Sequence, residues 1–236
     1  MTSKEDDTID RNIVLGHDEM NNVDDIELYK VIMIGDSGSG KTSLIQKYVL
    51  NKFVETETNT IGVSYLTKSM LNPETKNIAK LCIWDTAGQD RFFSIVKMYF
   101  KFARGICCVY DITNTKSLIN CEKWIEVSLE SLSGNISPSE IPIYLIGNKH
   151  DLNKEITLQM YEKTHHKIFE NLKSKYNIKH FFTSAKTGEN LHKIMSSLVL
   201  NMKPNIVKNE FSDSYRRTND NGNIILGWNS QGCNCY

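Results

Sequence analysis

Long apolar runs are missing from this chain. No stretch approaches the ~18 apolar residues a membrane-spanning helix requires, so no helical span is expected. The first residues lack a basic region followed by an apolar run, so no secretory leader is expected either. Position 2 is Thr2 and not glycine, which excludes the N-myristoylation pattern. Net charge is also absent: Lys+Arg and Asp+Glu stand at 28 each, so the balance implies no nucleic-acid or acidic partner. No internal repeat is visible. These absences leave a soluble, cytosolic chain with reduced cysteines as the expectation.

What is present fits one full domain: 236 residues, 40% hydrophobic and 24% charged. The charge is uneven. Residues 1–28 hold nine acids against Lys4 and Arg11, a net of −7 that the remainder balances. Residues 1–27 therefore read as an acidic, disordered arm, solvating rather than folded.

Beyond the arm, apolar runs alternate with amphipathic ones. LYKVIMIG (28–35) reads as a buried strand, and TSLIQKYVL (42–50) has helical spacing. IGVSYLTKSML (61–71) and IAKLCIWD (78–85) flank NPETKN, whose Asn72-Pro73 start marks a hairpin turn. GICCVYD (105–111), IPIYLIG (141–147) and KHFFTS (179–184) are further strands. Residues 117–132, 155–176 and 189–203 carry helical periods, the last placing Leu191, Ile194, Met195 and Leu198 toward a core. This order predicts an α/β fold: a mostly parallel six-stranded sheet with one antiparallel strand and helices on both faces. The folded domain spans 28–203, and residues 204–236 form a flexible polar tail.

Four motifs carry chemistry. GDSGSGKT (35–42) fits G-x-x-x-x-G-K-[ST] between a strand and a helix. Gly35, Gly38 and Gly40 let the loop wrap a phosphate chain, Lys41 would reach the β- and γ-phosphates, and Thr42 would ligate Mg²⁺. WDTAGQD (84–90) puts Asp85 at a strand end, where a carboxylate can hold Mg²⁺ through water. Gly88 allows close approach to a γ-phosphate, and Gln89 suits orienting an attacking water. GNKHD (147–151) ends another strand on the same rim, where Asp151 can accept from the N1–H and N2 amine of guanine. TSAKT (183–187) fits the same pocket, with the Ala185 N–H toward guanine O6.

With these motifs in order, residues from about 28 to 203 resemble a Ras-superfamily small GTPase, and most the Rab branch. IGVSY resembles IGVDF, KLCIWDTAGQDRF resembles KLQIWDTAGQERF, and GICCVYDIT matches the following strand. The resemblance implies the P-loop NTPase fold, GTP/GDP and Mg²⁺ as cofactors, and slow hydrolysis with Gln89, Lys41 and Thr60 catalytic. Thr60 would join Thr42 and Asp85 at the metal. Phe53 would lie edge-on to guanine, Lys149 and Lys186 along its faces, Asn148 would brace the pocket and Ser184 would support Asp151. Ser37, Ser39 and Ser43 complete the nucleotide-contacting set, and Ser37 is small enough for turnover. Tyr65, Trp84 and Tyr99 fall where Rab proteins carry an effector-reading aromatic triad. The implied partners are exchange factors, GTPase-activating proteins, escort and dissociation-inhibitor proteins, effectors and a membrane. The sequence departs from the family at Ser64, Asp90 and Phe102, the last standing where a glycine is expected; all three lie on the switch surface.

The tail ends QGCNCY. Cys233 stands fourth from the end, but Asn234 and Cys235 are not aliphatic. A C-x-C ending in Rab proteins is modified on both cysteines, and two lipids give a stable anchor where one gives a marginal one. Prenylation of Cys233 and Cys235, on the cytoplasmic face of an intracellular membrane with cycling through cytosol, is the resulting expectation. His165-His166 reads as a solvated face of a helix, Cys107-Cys108 as strand packing, and Trp124 as a core or surface anchor. Two other functions compete: a GTP-binding interaction module without turnover, and another Ras-superfamily signalling GTPase. An ATP-using enzyme on the same loop is disfavoured by NKHD and SAK.

Overall fold

The computed structural model describes residues 25–55, 60, 62–88, 97–132, 137–152, 165–208, 216–218 and 224–226. Its sheet is laid around β1 (Asp25–Ile34), whose residues from Val31 to Ile34 are fully buried. β1 runs parallel to β3 (Ile78–Thr86) on one side and to β4 (Gly105–Asp111) on the other. β2 (Val63–Leu71) lies antiparallel to β3 at the edge, and β5 (Ile143–Asn148) and β6 (Ile178–Phe182) continue the parallel set beyond β4. The order β2-β3-β1-β4-β5-β6 reverses direction at β1, which opens a crevice at the carboxyl ends of β1 and β4.

Alternation along the strands divides the core. Tyr29, Val31 and Met33 of β1 face one layer with Cys107 and Val109 of β4. That layer packs on α1 (Lys41–Leu50) and α5 (Leu191–Asn201), where Leu191, Ile194, Met195 and Leu198 are all buried as their spacing predicts. Ile32, Ile34, Ile106 and Cys108 face the other layer, with α2 (Thr115–Ile119), α3 (Cys121–Ser131) and α4 (His166–Lys175). Burial of each such aliphatic side chain stabilises by roughly 1.5–3 kcal/mol. Cys107 and Cys108 thus pack on opposite faces. Of the long helix expected at 155–176, α4 is described, and 155–164 lie outside the described residues.

The sheet extends beyond the six expected strands. β7 (Asn205–Lys208) pairs antiparallel with Asp25–Leu28 of β1. The physical reason is that β4 covers β1 only from Val31 to Ile34, leaving the earlier backbone groups on that side to be paired. Residues 25–27 consequently belong to the sheet and not to the acidic arm, and 205–208 do not belong to a structureless tail. A further pair, β8 (Arg216–Thr218) and β9 (Ile224–Leu226), forms a separate two-stranded ribbon.

Glu27 shows why an acidic residue can start a strand. It is 2% exposed, yet its carboxylate accepts from Tyr29 Oη (2.7 Å), Asn72 Nδ2 (2.7 Å) and Asn77 Nδ2 (3.2 Å). Asn72 in turn accepts from the Glu74 (3.0 Å) and Thr75 (3.4 Å) amides, so one side chain shapes the β2–β3 turn and ties it to β1. The expectation of a solvated His165-His166 pair needs correction. His165 is buried with Nε2 3.1 Å from Thr115 Oγ1, and His166 is exposed. Adjacent helical positions point about 100° apart, so one faces the core while its neighbour faces water.

Candidate nucleotide site

The site begins where β1 ends. Gly35 takes φ 129, and a Cβ there would stand 2.1 Å from the Val109 carbonyl oxygen, so the loop leaves the sheet against β4. Gly40, at φ 89, is the N-cap of α1 and makes no side-chain cap; a Cβ there would meet Asn148 Nδ2 at 2.2 Å. The helix start, with its orphan N–H groups and positive dipole end, is thereby open to an anion.

Lys41 is 5% exposed and donates to the Gly35 (2.8 Å) and Asp36 (2.9 Å) carbonyls, curling the loop around its ammonium. Burial pushes its pKa down to about 8, while the charges of Asp85 and Asp36 oppose that shift. The Ser37 N–H donates to the Gly88 carbonyl at 2.8 Å, bringing the exit of β3 against the loop. A Cβ on Gly88 would stand 2.4 Å from Ser37 N and 2.6 Å from Lys41 Nζ, so this approach requires glycine.

Three oxygen-bearing side chains converge near Lys41. Thr42 Oγ1 donates to Asp85 Oδ2 (2.6 Å) and lies 2.9 Å from Thr60 Oγ1. Asp85 is 3% exposed; burial raises its pKa, with the Thr42 bond and the Lys41 charge acting against the rise. Its Oδ1 is buried with no hydrogen-bond partner. A buried carboxylate oxygen without a donor, flanked by two hydroxyls, fits a small hard cation such as Mg²⁺. No group of three or more His, Cys, Asp or Glu exists among the described residues, so other oxygens must complete such a shell.

The other end of the cleft is built from two laced loops. The His150 N–H donates to the Thr183 carbonyl (3.0 Å), and the Thr183 N–H to that of Gly147 (2.9 Å). Ser184 Oγ donates to Asp151 Oδ1 (2.5 Å), fixing that carboxylate. Asn148 Nδ2 donates to the Ser39 carbonyl (2.9 Å), while its Oδ1 accepts the Ala185 N–H (3.0 Å). One side chain therefore joins the phosphate loop to the Ser184-Ala185 loop, and the Ala185 N–H is already engaged. Lys149 adopts φ 68 and its ammonium reaches Asp111 Oδ2 at 2.7 Å. Lys186 is exposed and 3.7 Å from Glu55.

Together these residues bound a cleft of about 340 Å³ running from Lys41 and Thr42 past Phe53 and Thr60 to Asp151. Ser37, Gly38, Gly40, Ser43, Gly88, Asn148, Lys149, Ala185 and Lys186 line it too. Gly35, Ser39, Asp85 and Ser184 stand behind the wall and do not line it; Ser39 Oγ is buried without a partner. Gln89, Cys233 and Cys235 lie outside the described residues. Sequence reasoning missed Val54, Glu55 and Leu152 as lining residues, and Asp111 as the partner of Lys149. Asp111 ends a strand on the rim, the same signal that identified Asp85.

Beyond the cleft, the Tyr65 and Trp84 rings stack at 5.3 Å and Trp84 meets Tyr99 at 5.5 Å, with Lys30 Nζ 4.4 Å over Trp84. The expected triad is therefore contiguous, and Tyr65 is 54% exposed. Phe102 sits at φ 60, left-handed backbone that favours glycine.

Comparison with known proteins points the same way. The sequence model of the Ras family matches residues 30–204. Ras-related protein Rab-13 of Rattus norvegicus is 37% identical over 171 residues, covering 72% of this chain and 78% of that one. The Ypt/Rab-type GTPase YPT7 of Saccharomyces cerevisiae is 35% identical over 210 residues, 88% of this chain and 97% of its own. Ras-related protein RabC of Dictyostelium discoideum is 34% identical over 175 residues, 73% and 82% respectively.

Proposed function

The chain belongs to the Ras family as a Rab-like GTPase, hydrolysing GTP to GDP, and from that premise we propose that it is a GTP/GDP switch regulating intracellular membrane traffic. The observation that carries the reading is one cleft with Lys41, Thr42 and Thr60 at one end, backed by Asp85 hydrogen-bonded to Thr42, and the Ser184-braced Asp151 at the other. In this reading Thr42, Thr60 and Asp85 hold Mg²⁺, which supplies charge neutralisation at the phosphates. Lys41 and the start of α1 bind phosphate oxygens, and Asp151 accepts from guanine, which adenine cannot match. Gln89 orients the attacking water.

A γ-phosphate competes with the Gly88 carbonyl for the Ser37 N–H, so nucleotide state repositions the segment that starts at Gly88. The Tyr65–Trp84–Tyr99 surface, whose Trp84 and Tyr99 bracket that segment in sequence, is what effectors read. Exchange factors, activating proteins and escort proteins act on the same switch. Prenyl groups on Cys233 and Cys235 hold the protein on the cytoplasmic face of a membrane; no described helix is long and apolar enough to cross one. Displacement of a fluorescent GDP analogue tests the binding part. GDP displaces it at least a thousandfold better than ADP, and Asp151→Ala removes most of that preference. Equal competition by ADP overturns the guanine assignment.

A further inference from the structure

Asp36 places a carboxylate in the very loop that curls around an anion. Left to itself that charge opposes phosphate binding, and its residue's own carbonyl already touches Lys41 Nζ at 2.9 Å. A carboxylate swung inward from the same residue would pair with that ammonium and occupy the cation the phosphates need. The structure shows what holds it outward. Asn120 Nδ2 donates to Asp36 Oδ2 (2.7 Å), and Trp124 Nε1 donates to Asp36 Oδ1 (2.8 Å). Trp124 is 1% exposed, the largest fully buried side chain among the described residues, so its indole is locked by packing in the layer under β4. Asn120 sits at the junction of α2 and α3, and its carbonyl accepts the Trp124 N–H (3.2 Å), so the two donors move as one unit. Both oxygens of Asp36 are therefore taken by neutral donors, from a layer that contributes no lining residue to the cleft.

We propose that Trp124 and Asn120 are positioning residues for nucleotide binding: they restrain the Asp36 carboxylate away from Lys41, leaving the ammonium for the phosphates. The proposal rests on the nucleotide reading above. Its physical content is an energetic coupling, because loss of the indole donor matters only while Asp36 is charged. A packing role for Trp124 would instead be indifferent to residue 36.

Dissociation of a fluorescent GDP analogue from the full chain in Mg²⁺ separates the two. Trp124→Phe keeps most of the ring volume and removes the donor, and it accelerates release by about tenfold. In an Asp36→Ala background the same substitution changes the rate less than twofold. Should Trp124→Phe fail to fold, Asn120→Ala in the two backgrounds gives the same contrast, with a several-fold effect only when Asp36 is present. An equal acceleration with and without Asp36, or none in either, overturns the proposal. An unmodified chain that binds no GDP overturns the nucleotide reading, and the proposal with it.

Discussion

Asp85 is held in the folded protein against its own ionisation. Burial raises its carboxyl pKa above the ordinary 3.8, so the folded state binds a proton there more readily than the unfolded chain. Stability without metal therefore falls as pH rises out of the ordinary carboxylate range toward the raised value, and the cost is fully present only above that value. Asp85→Asn removes it. In EDTA the variant should melt higher by about 2–4 °C, the shift expected per kcal/mol in a domain of this size. With GDP and excess Mg²⁺ the order reverses, because only the carboxylate form gains the linkage stabilisation of a bound cation. Thermal unfolding in the two buffers checks this; an equal Mg²⁺ response from both proteins removes Asp85 from the metal site. The residue was legible from its place at a strand end beside D-T-A-G. The restraint on Asp36 was not, because its donors come from the α2–α3 junction and from α3, 84 and 88 residues away.

At the scale of elements, the β2–β3 hairpin depends on a polar clamp where an apolar one is the usual solution. Asn72 serves the turn with its oxygen and Glu27 with its nitrogen, so Asn72→Ala deprives a buried carboxylate of a donor and the turn of an acceptor. The expected cost is about 2 kcal/mol by urea unfolding, with GDP release unchanged because the clamp lies at the end of β1 remote from the phosphate loop. A loss below 0.5 kcal/mol would show that water replaces the lost donor. The hairpin itself was legible from Asn72-Pro73 between two strand-like runs. The start of β1 was not, since Asp25 and Glu27 carry no apolar signal and are retained by partners distant in sequence. β7 was equally hidden: Asn205–Lys208 has no strand period, and it forms because β1 offers an unpaired edge.

Across the whole molecule, the cleft and β7 occupy opposite ends of β1. The rim at the carboxyl ends of β1, β4 and β5 carries the cleft, whereas Lys208, the last residue of β7, pairs with Asp25 at the other end. The strand content and the rim motifs were legible together because parallel strands must deliver their ligands at one end; the order of the strands was not. The measurement that tests the switch most directly is single-turnover hydrolysis of GTP loaded on the full chain with Mg²⁺. The account predicts stoichiometric conversion to GDP at a rate on the order of 10⁻⁴ s⁻¹, accelerated by an activating protein and at least tenfold slower in Gln89→Leu. GTP that stays bound and intact in both proteins, even with the activating protein present, would contradict it and leave a nucleotide-locked binding module in its place.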